Sequence, residues 1–474
     1  MLKKQQHIHF VGIGGIGMSG LAHIVRQQGF IVSGCDVNIQ SSICKDLAAQ
    51  GCILFEGHDA AHLDAVDVVV YSTIIKQHHP EMVTARKMVP SVISRAHMLA
   101  QLMSEKTSIA VTGMHGKTTT TSMVAHVLFE SGRDPSIAIG GIMQNMGTNA
   151  RKGDGDFFVA EADESDRSMV LLNPTMAIIT NIDLEHLETY KNLDDIKATF
   201  VQFMEKIPCH GALFVSADCP NTQAVFRDID PSIHFVSQNT QGVVISKTIS
   251  FGLSDSAHVR AINIQNLTRE CSFEVVIDGV VLGRIIMNVT GEHNIRNALA
   301  AIALALHVGI PFDEIAVALA TFAGVVRRFE FRGTFKGIEI FDDYAHHPVE
   351  IVCALNLASE RAEGRLVVAF QPHKYSRVHG LWHDFIQVLS DPRVDVLIMA
   401  EIYPAFETPI DGVTSKALIE HIQKKNPHLK IIYCFNIDEV ESEARQLLES
   451  GDFLLTMGAG RLDVVAGRLV DSVS

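Results

Sequence analysis

The run Ala110-Val111-Thr112-Gly113-Met114-His115-Gly116-Lys117-Thr118-Thr119-Thr120-Thr121 constrains the fold more than any other part of the chain. Ser108 to Val111 suits a buried strand, the glycines permit a tight turn, and Thr118 to Glu130 carries apolar residues at helical spacing. Strand, loop and helix in that order make a phosphate cradle. Backbone N–H groups at the helix start point at a polyphosphate, Lys117 supplies a positive point charge, and the Thr118 hydroxyl can ligate Mg2+. Gly113, Met114, His115, Gly116, Lys117, Thr118 and Thr119 are thus the expected contacts of a nucleoside triphosphate. Val111 stands where the general G-x-x-x-x-G-K-T loop has its leading glycine, so the loop is a shorter relative of that motif.

A chain of 474 residues exceeds one ordinary hydrophobic core, and its length fits about three domains. With 47% hydrophobic and 20% charged residues it reads as a folded globular protein. The formal charge of -15 disfavours non-specific binding to nucleic acid or a membrane surface, so anionic ligands must be held by local positive groups. The eight cysteines show no C-x-x-C pair and no zinc-like spacing, which predicts reduced core thiols. Met1-Leu2-Lys3-Lys4 before an apolar run superficially resembles a signal peptide, but Gly12, Gly14, Gly15, Gly17 and Gly20 interrupt it. No other stretch is long and apolar enough to span a bilayer, which predicts a cytoplasmic protein. The sequence carries no signal for an oligomeric state.

Apolar strands alternate with helix-like segments in three stretches, which predicts an α/β protein of three units with mostly parallel sheets. The expected domains are residues 1–104, Rossmann-like; 105–323, a P-loop ATPase-like α/β domain with an added β-rich part from Ile233 to Val289; and 324–474, again Rossmann-like.

In the first, Gly12-x-Gly14-Gly15-x-Gly17 lies between a strand and a helix, and Asp36 ends the next strand. Taken alone, this motif favours a nicotinamide-dependent oxidoreductase. The same geometry holds any pyrophosphate, including that of a UDP-sugar, and the second phosphate loop tips the balance that way. Asp156 to Asp166 is an apolar strand running into Glu161, Asp163, Glu164 and Asp166. One of these, Glu161 for preference, can join Thr118 around Mg2+. His186 follows on a neighbouring strand end, placed for a second cation or for substrate. His293, Asn294 and Asn297 open a helix and suit an adenine edge or a cap equally. Arg327-Arg328 lies where the second and third units meet in sequence; a guanidinium there can reach a terminal phosphate when the units close. Phe341 to Glu350 packs Asp342, Asp343, Tyr344, His346, His347 and Glu350 beyond one strand. His373, Lys374 and Arg377 follow the next, where they can orient a carboxylate or form a solvated basic turn.

Together, His-Gly-Lys-Thr-Thr-Thr, Glu-Ala-Asp-Glu-Ser-Asp, His-Asn-x-x-Asn, Arg-Arg-Phe-Glu and Asp-Asp-Tyr-Ala-His-His-Pro resemble the Mur ligase family of peptidoglycan synthesis, in the family's order from Phe10 to about Gly460. Phe-Val-Gly-Ile-Gly-Gly-Ile-Gly-Met-Ser resembles the members that add L-alanine, with the muropeptide-recycling members the nearest relatives. The resemblance implies three domains that hold, in turn, the UDP portion of UDP-N-acetylmuramate, ATP with Mg2+ (two ions, with Mn2+ as an alternative), and L-alanine. It also implies amide formation through an acyl phosphate. By this resemblance, Lys117 contacts the β- and γ-phosphates, Thr118 and Glu161 the first Mg2+, and His186 the second. His293, Asn294 and Asn297 serve the base, Arg328, Asp343 and His346 the ATP phosphates and ribose, and Tyr344, His373 and Arg377 the amino acid. Lys197 is the candidate for the carbamylated lysine some relatives use. Three positions depart from the pattern: Met114 for threonine, Glu185 for aspartate before His186, and Arg461 for aspartate near the C-terminus. A modest effect is expected of Met114, because that loop acts through its backbone.

Overall fold

The computed structural model describes residues 5–73, 75–76, 78–186, 188–228, 247–267, 269–405 and 407–471. It contains three sheets, distributed over two compact units: Met1–Asn266 with Glu270–Ala323, and Gly324–Ser474 with Leu267–Arg269. The first two expected domains share the first unit. The apolar reason is a continuous core that joins Ile24, Leu99 and Leu102 near the first sheet to Phe158, Met169 and Phe200 near the second.

The first sheet has five parallel strands in the spatial order Ile53–Glu56, Ile31–Asp36, His7–Val11, Val68–Tyr71, Ser91–Ser94. The order reverses direction beside His7–Val11, the crevice where open α/β sheets bind ligands. Gly12 turns the chain there at φ +79°, and the helix Ile16–Gln27 begins three residues after Ile13.

The second sheet has ten strands and is mixed. At its centre Thr107–Thr112 lies between Met176–Ile179 and Phe157–Glu161, all parallel. Their C-terminal ends therefore share one edge. Lys117–Glu130 follows the phosphate loop as a helix with ten buried residues. The expected β-rich part begins at Ile233, and its portion through residue 246 lies outside the described residues. The remainder forms Lys247–Gly252, Val259–Asn266, Cys271–Ile277 and Val280–Met287, ending in two antiparallel pairings. Glu292–His307 is the long helix expected from Asn294 onward.

The third sheet runs Glu330–Phe335, Ile338–Asp343, Phe453–Met457, Leu366–Phe370, Val396–Ala400, Lys430–Cys434, with only the first strand antiparallel. Alternation divides its side chains between two cores. Ile340, Val367, Ile398 and Leu454 enter one, and Phe341, Val368, Leu397 and Leu455 the other. Among the described residues, no helix is long and apolar enough to cross a membrane.

Candidate functional site

The loop after Thr107–Thr112 folds as the glycines dictate. Gly113 has φ +134°, and a Cβ there would lie 2.1 Å from Thr180 Oγ1. Gly116 has φ +79° and caps the helix, and its Cβ would lie 2.6 Å from Asn297 Oδ1. Both positions exclude a side chain by conformation and by space. Asn181 clamps the loop: its carboxamide accepts the His115 N–H at 2.9 Å and donates to the His115 carbonyl at 2.9 Å. Thr180 Oγ1 donates to the same carbonyl at 2.7 Å, and the Met114 N–H donates to the Asn181 carbonyl at 3.3 Å. Met114 buries its side chain in the core and serves the loop through its backbone.

Lys117 Nζ donates to the Gly113 carbonyl at 2.6 Å, the Met114 carbonyl at 3.1 Å and Glu164 Oε1 at 2.9 Å. Burial works to lower its pKa, yet the charges of Glu164, Glu161 and Glu185 outweigh it and the pKa is raised, so the ammonium stays charged. Glu164 is 1% exposed and also meets His186 Nε2 through Oε1 at 3.2 Å, while its Oε2 is buried with no hydrogen-bond partner. His186 is left-handed at φ +55°. Burial opposes its protonation, but Glu164, Glu188 and Glu185 raise its pKa to about 9. Glu161 accepts the Gly140 N–H at 2.9 Å, and burial raises its pKa against the pull of Lys117 and a Thr118 hydrogen bond.

Lys117, Thr118, Glu161 and His186 are thus gathered on one strand edge, as the sequence places them. Two residues join them that sequence reasoning did not single out. Glu164 gave a signal as one of four carboxylates, but nothing in sequence ranked it; Asn181 lay unremarked in the His186 run. The other two carboxylates face the first sheet's side of this unit. Asp163 pairs with Arg95 at 3.1 Å, and Asp166 accepts from Thr73 Oγ1 at 2.9 Å.

Asn297 Oδ1 accepts from Thr120 Oγ1 at 3.0 Å, its Nδ2 donates to Asn294 Oδ1 at 3.3 Å, and Asn294 donates to the Thr290 carbonyl at 2.8 Å. These amides join the two helix starts. His293 sits beside Asn294 in the first turn of Glu292–His307. At the first glycine loop, Asp36 Oδ2 accepts the Gly14 N–H and Oδ1 the Asn38 N–H, each at 2.9 Å. Its carboxylate braces the turn from Gly12 to Gly17, with Gly15 at the helix cap.

In the second unit, Arg327 and Arg328 diverge. Arg327 is a structural anchor that donates to buried Asp342 at 2.9 Å and to the Gly458 and Gly460 carbonyls at 2.6 and 3.2 Å. Arg328 lies 3.8 Å from Glu350 and over the Tyr344 ring at 5.3 Å. From there the rings run Tyr344 to His346 at 5.3 Å and His346 to His373 at 5.9 Å. Arg377 donates to His373 Nδ1 at 3.2 Å, which places that ring's proton on Nε2. Burial, then His346, Arg377 and Lys374, lower the His373 pKa to about 3. Asp343 accepts the Phe329 and Ala345 N–H groups at 2.7 and 2.6 Å, and burial raises its pKa to about 7 against Arg328. Arg461 donates its N–H to Gln371 at 3.2 Å, a backbone contact that the departure from aspartate leaves available.

A phosphate loop with an acidic strand edge, a second glycine loop, and a third sheet presenting Arg, His and Asp define a multidomain nucleotide-binding α/β protein. Comparison with known proteins narrows the class. Residues 7–107 match the Mur ligase family catalytic domain, 111–305 the Mur ligase middle domain, and 327–460 the Mur ligase glutamate ligase domain. The UDP-N-acetylmuramate--L-alanine ligase of Geobacter sp. (strain M21) is 44% identical over 98% of this chain and 96% of its own length, and that of Persephonella marina is 40% identical over 99% and 97%. The crystal structure of UDP-N-acetylmuramate-alanine ligase MurC from Thermotoga maritima superposes with a TM-score of 0.82 at 28% identity, covering 99% of both chains. A murein peptide ligase from Psychrobacter arcticus reaches 0.73 at 25% identity, covering 99% of this chain and 98% of its own. The chain belongs to the Mur ligase family, whose members are ATP-dependent amide-bond-forming ligases.

Proposed function

We propose that this enzyme joins L-alanine to the lactyl carboxylate of UDP-N-acetylmuramate, yielding UDP-N-acetylmuramoyl-L-alanine, ADP and phosphate for peptidoglycan synthesis. The observation that carries this reading is the full-length similarity to L-alanine-adding relatives, together with the charged edge around Lys117, Glu161, Glu164 and His186. A carboxylate is a poor electrophile. Transfer of the γ-phosphoryl group to it gives an acyl phosphate, which the alanine amine attacks with loss of phosphate. Both steps call for positioning and charge neutralisation rather than a protein nucleophile.

On this reading, the N–H groups of Gly113 to Thr119 and the Lys117 ammonium hold the β- and γ-phosphates. Thr118 and Glu161 hold one Mg2+ and His186 a second, with Mn2+ able to substitute. The residues fit such ions: Glu164 Oε2 is a buried oxygen without a hydrogen-bond partner, and the edge is rich in the hard oxygen ligands Mg2+ takes. When bound, Mg2+ neutralises developing phosphate charge. His293, Asn294 and Asn297 serve the adenine side, and Gly12, Gly14, Gly15, Gly17 and Asp36 the UDP portion, Asp36 by bracing the loop. In the second unit Arg328, Asp343 and His346 serve ATP, and Tyr344, neutral His373 and Arg377 the amino acid. The domains are those of residues 1–104, 105–323 and 324–474. None of the eight cysteines forms a disulfide, which suits the reducing cytoplasm, where we place the reaction.

Phosphate release in the presence of ATP, UDP-N-acetylmuramate and a panel of amino acids tests the assignment. Stimulation by L-alanine is expected; stimulation only by a tripeptide would move the enzyme to the recycling class. NADPH binding at Gly12 to Gly17 in preference to the UDP-sugar would revive the oxidoreductase reading.

A further inference from the structure

The far side of the first sheet holds a cluster that the ligase reaction does not use. His9 on the strand His7–Val11, Cys35 on Ile31–Asp36 and Glu81 on the helix Pro80–Met88 are all buried and converge. One ligand atom from each lies within 4.8 Å of the others. Cys35 Sγ is 3.3 Å from Glu81 Oε1, and His9 Nε2 is 3.5 Å from the same oxygen. His58 Nδ1 completes the group, 3.1 Å from Cys35 Sγ and 3.2 Å from Glu81 Oε2. Nitrogen, sulfur and oxygen ligands around a tetrahedral Zn2+ stand about 3.3–3.6 Å apart, given bonds of about 2.0–2.3 Å. The contacts of 3.1–3.5 Å lie close to that figure, and small side-chain shifts would bring the four groups onto one ion.

Two further observations point to a ligand. His9 is 0% exposed, and its Nε2 meets Glu81 Oε1 at 3.5 Å without the geometry of a formed hydrogen bond. The other ring nitrogen, Nδ1, is held at 2.8 Å by Ser33 Oγ, the outer support that orients metal-binding histidines. Glu81, 1% exposed, is met among the described residues by His9, His58, His62 and the Cys35 thiol, and Cys35 belongs to an apolar cluster with Val11, Leu63 and Met82. Burying a carboxylate in such a place costs several kcal/mol unless a cation accompanies it.

We propose that His9 Nε2, Cys35 Sγ, Glu81 and His58 Nδ1 form a binding site for a zinc-class divalent cation. Mixed nitrogen, thiolate and carboxylate donors suit Zn2+ or Co2+ and discriminate against Mg2+. Binding displaces the Cys35 proton as the metal–sulfur bond forms. The site ties the helix Pro80–Met88 to the strand that supports the first glycine loop, because the Cys35 carbonyl accepts the Gly12 and Ile13 N–H groups at 2.8 and 3.0 Å.

The test is titration of the full-length, chelator-treated protein with Co2+, followed by the thiolate-to-cobalt charge-transfer band. That band separates this site from the Mg2+ edge, to which no thiol is assigned. One equivalent giving the band, displaced by Zn2+, is expected. Cys35→Ser should lose it, Cys209→Ser at the exposed thiol should keep it, and Ser33→Ala should weaken binding about 10–100-fold. No band with wild-type protein, as a purely proton-linked His–Cys–Glu network would give, overturns the proposal, as does a band that survives in Cys35→Ser. Should Cys35→Ser fail to fold, His58→Ala at the cluster's more exposed corner decides: weakening of at least about tenfold supports the site and unchanged affinity refutes it.

Discussion

Asn181→Ala removes the clamp on the Gly113–Lys117 loop while leaving every group proposed to hold phosphate in place. The carboxamide makes two hydrogen bonds to His115, both at 2.9 Å, one to its N–H and one to its carbonyl. Each contributes about 0.5–1.5 kcal/mol net, so losing both costs about 1–3 kcal/mol. The charge falls on the loop's ordered conformation, since Thr180 Oγ1 still reaches the His115 carbonyl at 2.7 Å but nothing replaces the contact to the N–H. A central figure of about 2 kcal/mol means roughly 30-fold weaker ATP binding, because the nucleotide must then order the loop itself. Calorimetric titration with ATP reads this directly, and the UDP-sugar affinity should not change. Asn181→Asp keeps the acceptor, loses the donor and sets a negative charge beside the His115 carbonyl, so it should bind ATP more weakly than the alanine variant. ATP affinity within about twofold of wild type in Asn181→Ala would refute the clamp.

Lys117→Ala should abolish ligation and Glu161→Ala should raise the Mg2+ concentration for half-maximal activity; phosphate-release assays with full activity in either variant would remove the corresponding role. Gly113→Ala forces a side chain into φ +134° and against Thr180 Oγ1, a backbone strain of about 1–3 kcal/mol before the clash. Combining it with Thr180→Ala should relieve only the contact with Oγ1, leaving the backbone strain and the Asn181 backbone atoms at 2.9 Å, as read by urea unfolding. The adjacent arginines should separate cleanly. Arg327→Ala leaves buried Asp342 without its cation and should cost about 3–5 kcal/mol of stability. Arg328→Ala should lower kcat with little loss of melting temperature. His373 is neutral in the fold down to about pH 3, against 6.5 for an ordinary histidine. Between those values the unfolded chain binds more protons than the native one, so stability rises with pH through that window, by up to about 1.4 kcal/mol per pH unit. His373→Gln should flatten that part of the denaturation profile; an unchanged slope would show that His373 titrates normally.

The strand-loop-helix around Lys117 was legible because glycine conformation, strand apolarity and helical spacing are local properties of sequence. Short strands were not: Ile53–Glu56 and Ser91–Ser94 are four residues each and none of their side chains is fully buried, so their apolar signal is weak. Ser136–Met143 carries Gly140-Gly141 and a shifted register, which hides its alternation. The two domains expected before Ala323 follow from alternating strands and helical segments and from the glycine loop each stretch carries. The shared core between the first two sheets depends on which helix faces meet, which no local pattern records.

By itself the sequence determined the α/β class, the family and the strand-loop-helix around Lys117, because motif chemistry requires particular residue types at short separations. Only the tertiary structure decided which of four nearby carboxylates, Glu164, receives both Lys117 and His186, and which of two adjacent arginines is bound into the fold. It also gathered His9, Cys35, His58 and Glu81, spread over more than seventy residues, into one buried cluster that cysteine spacing gave no reason to expect. Parallel strands bring distant chain segments side by side, and the register that selects their neighbours is fixed by packing across the whole sheet.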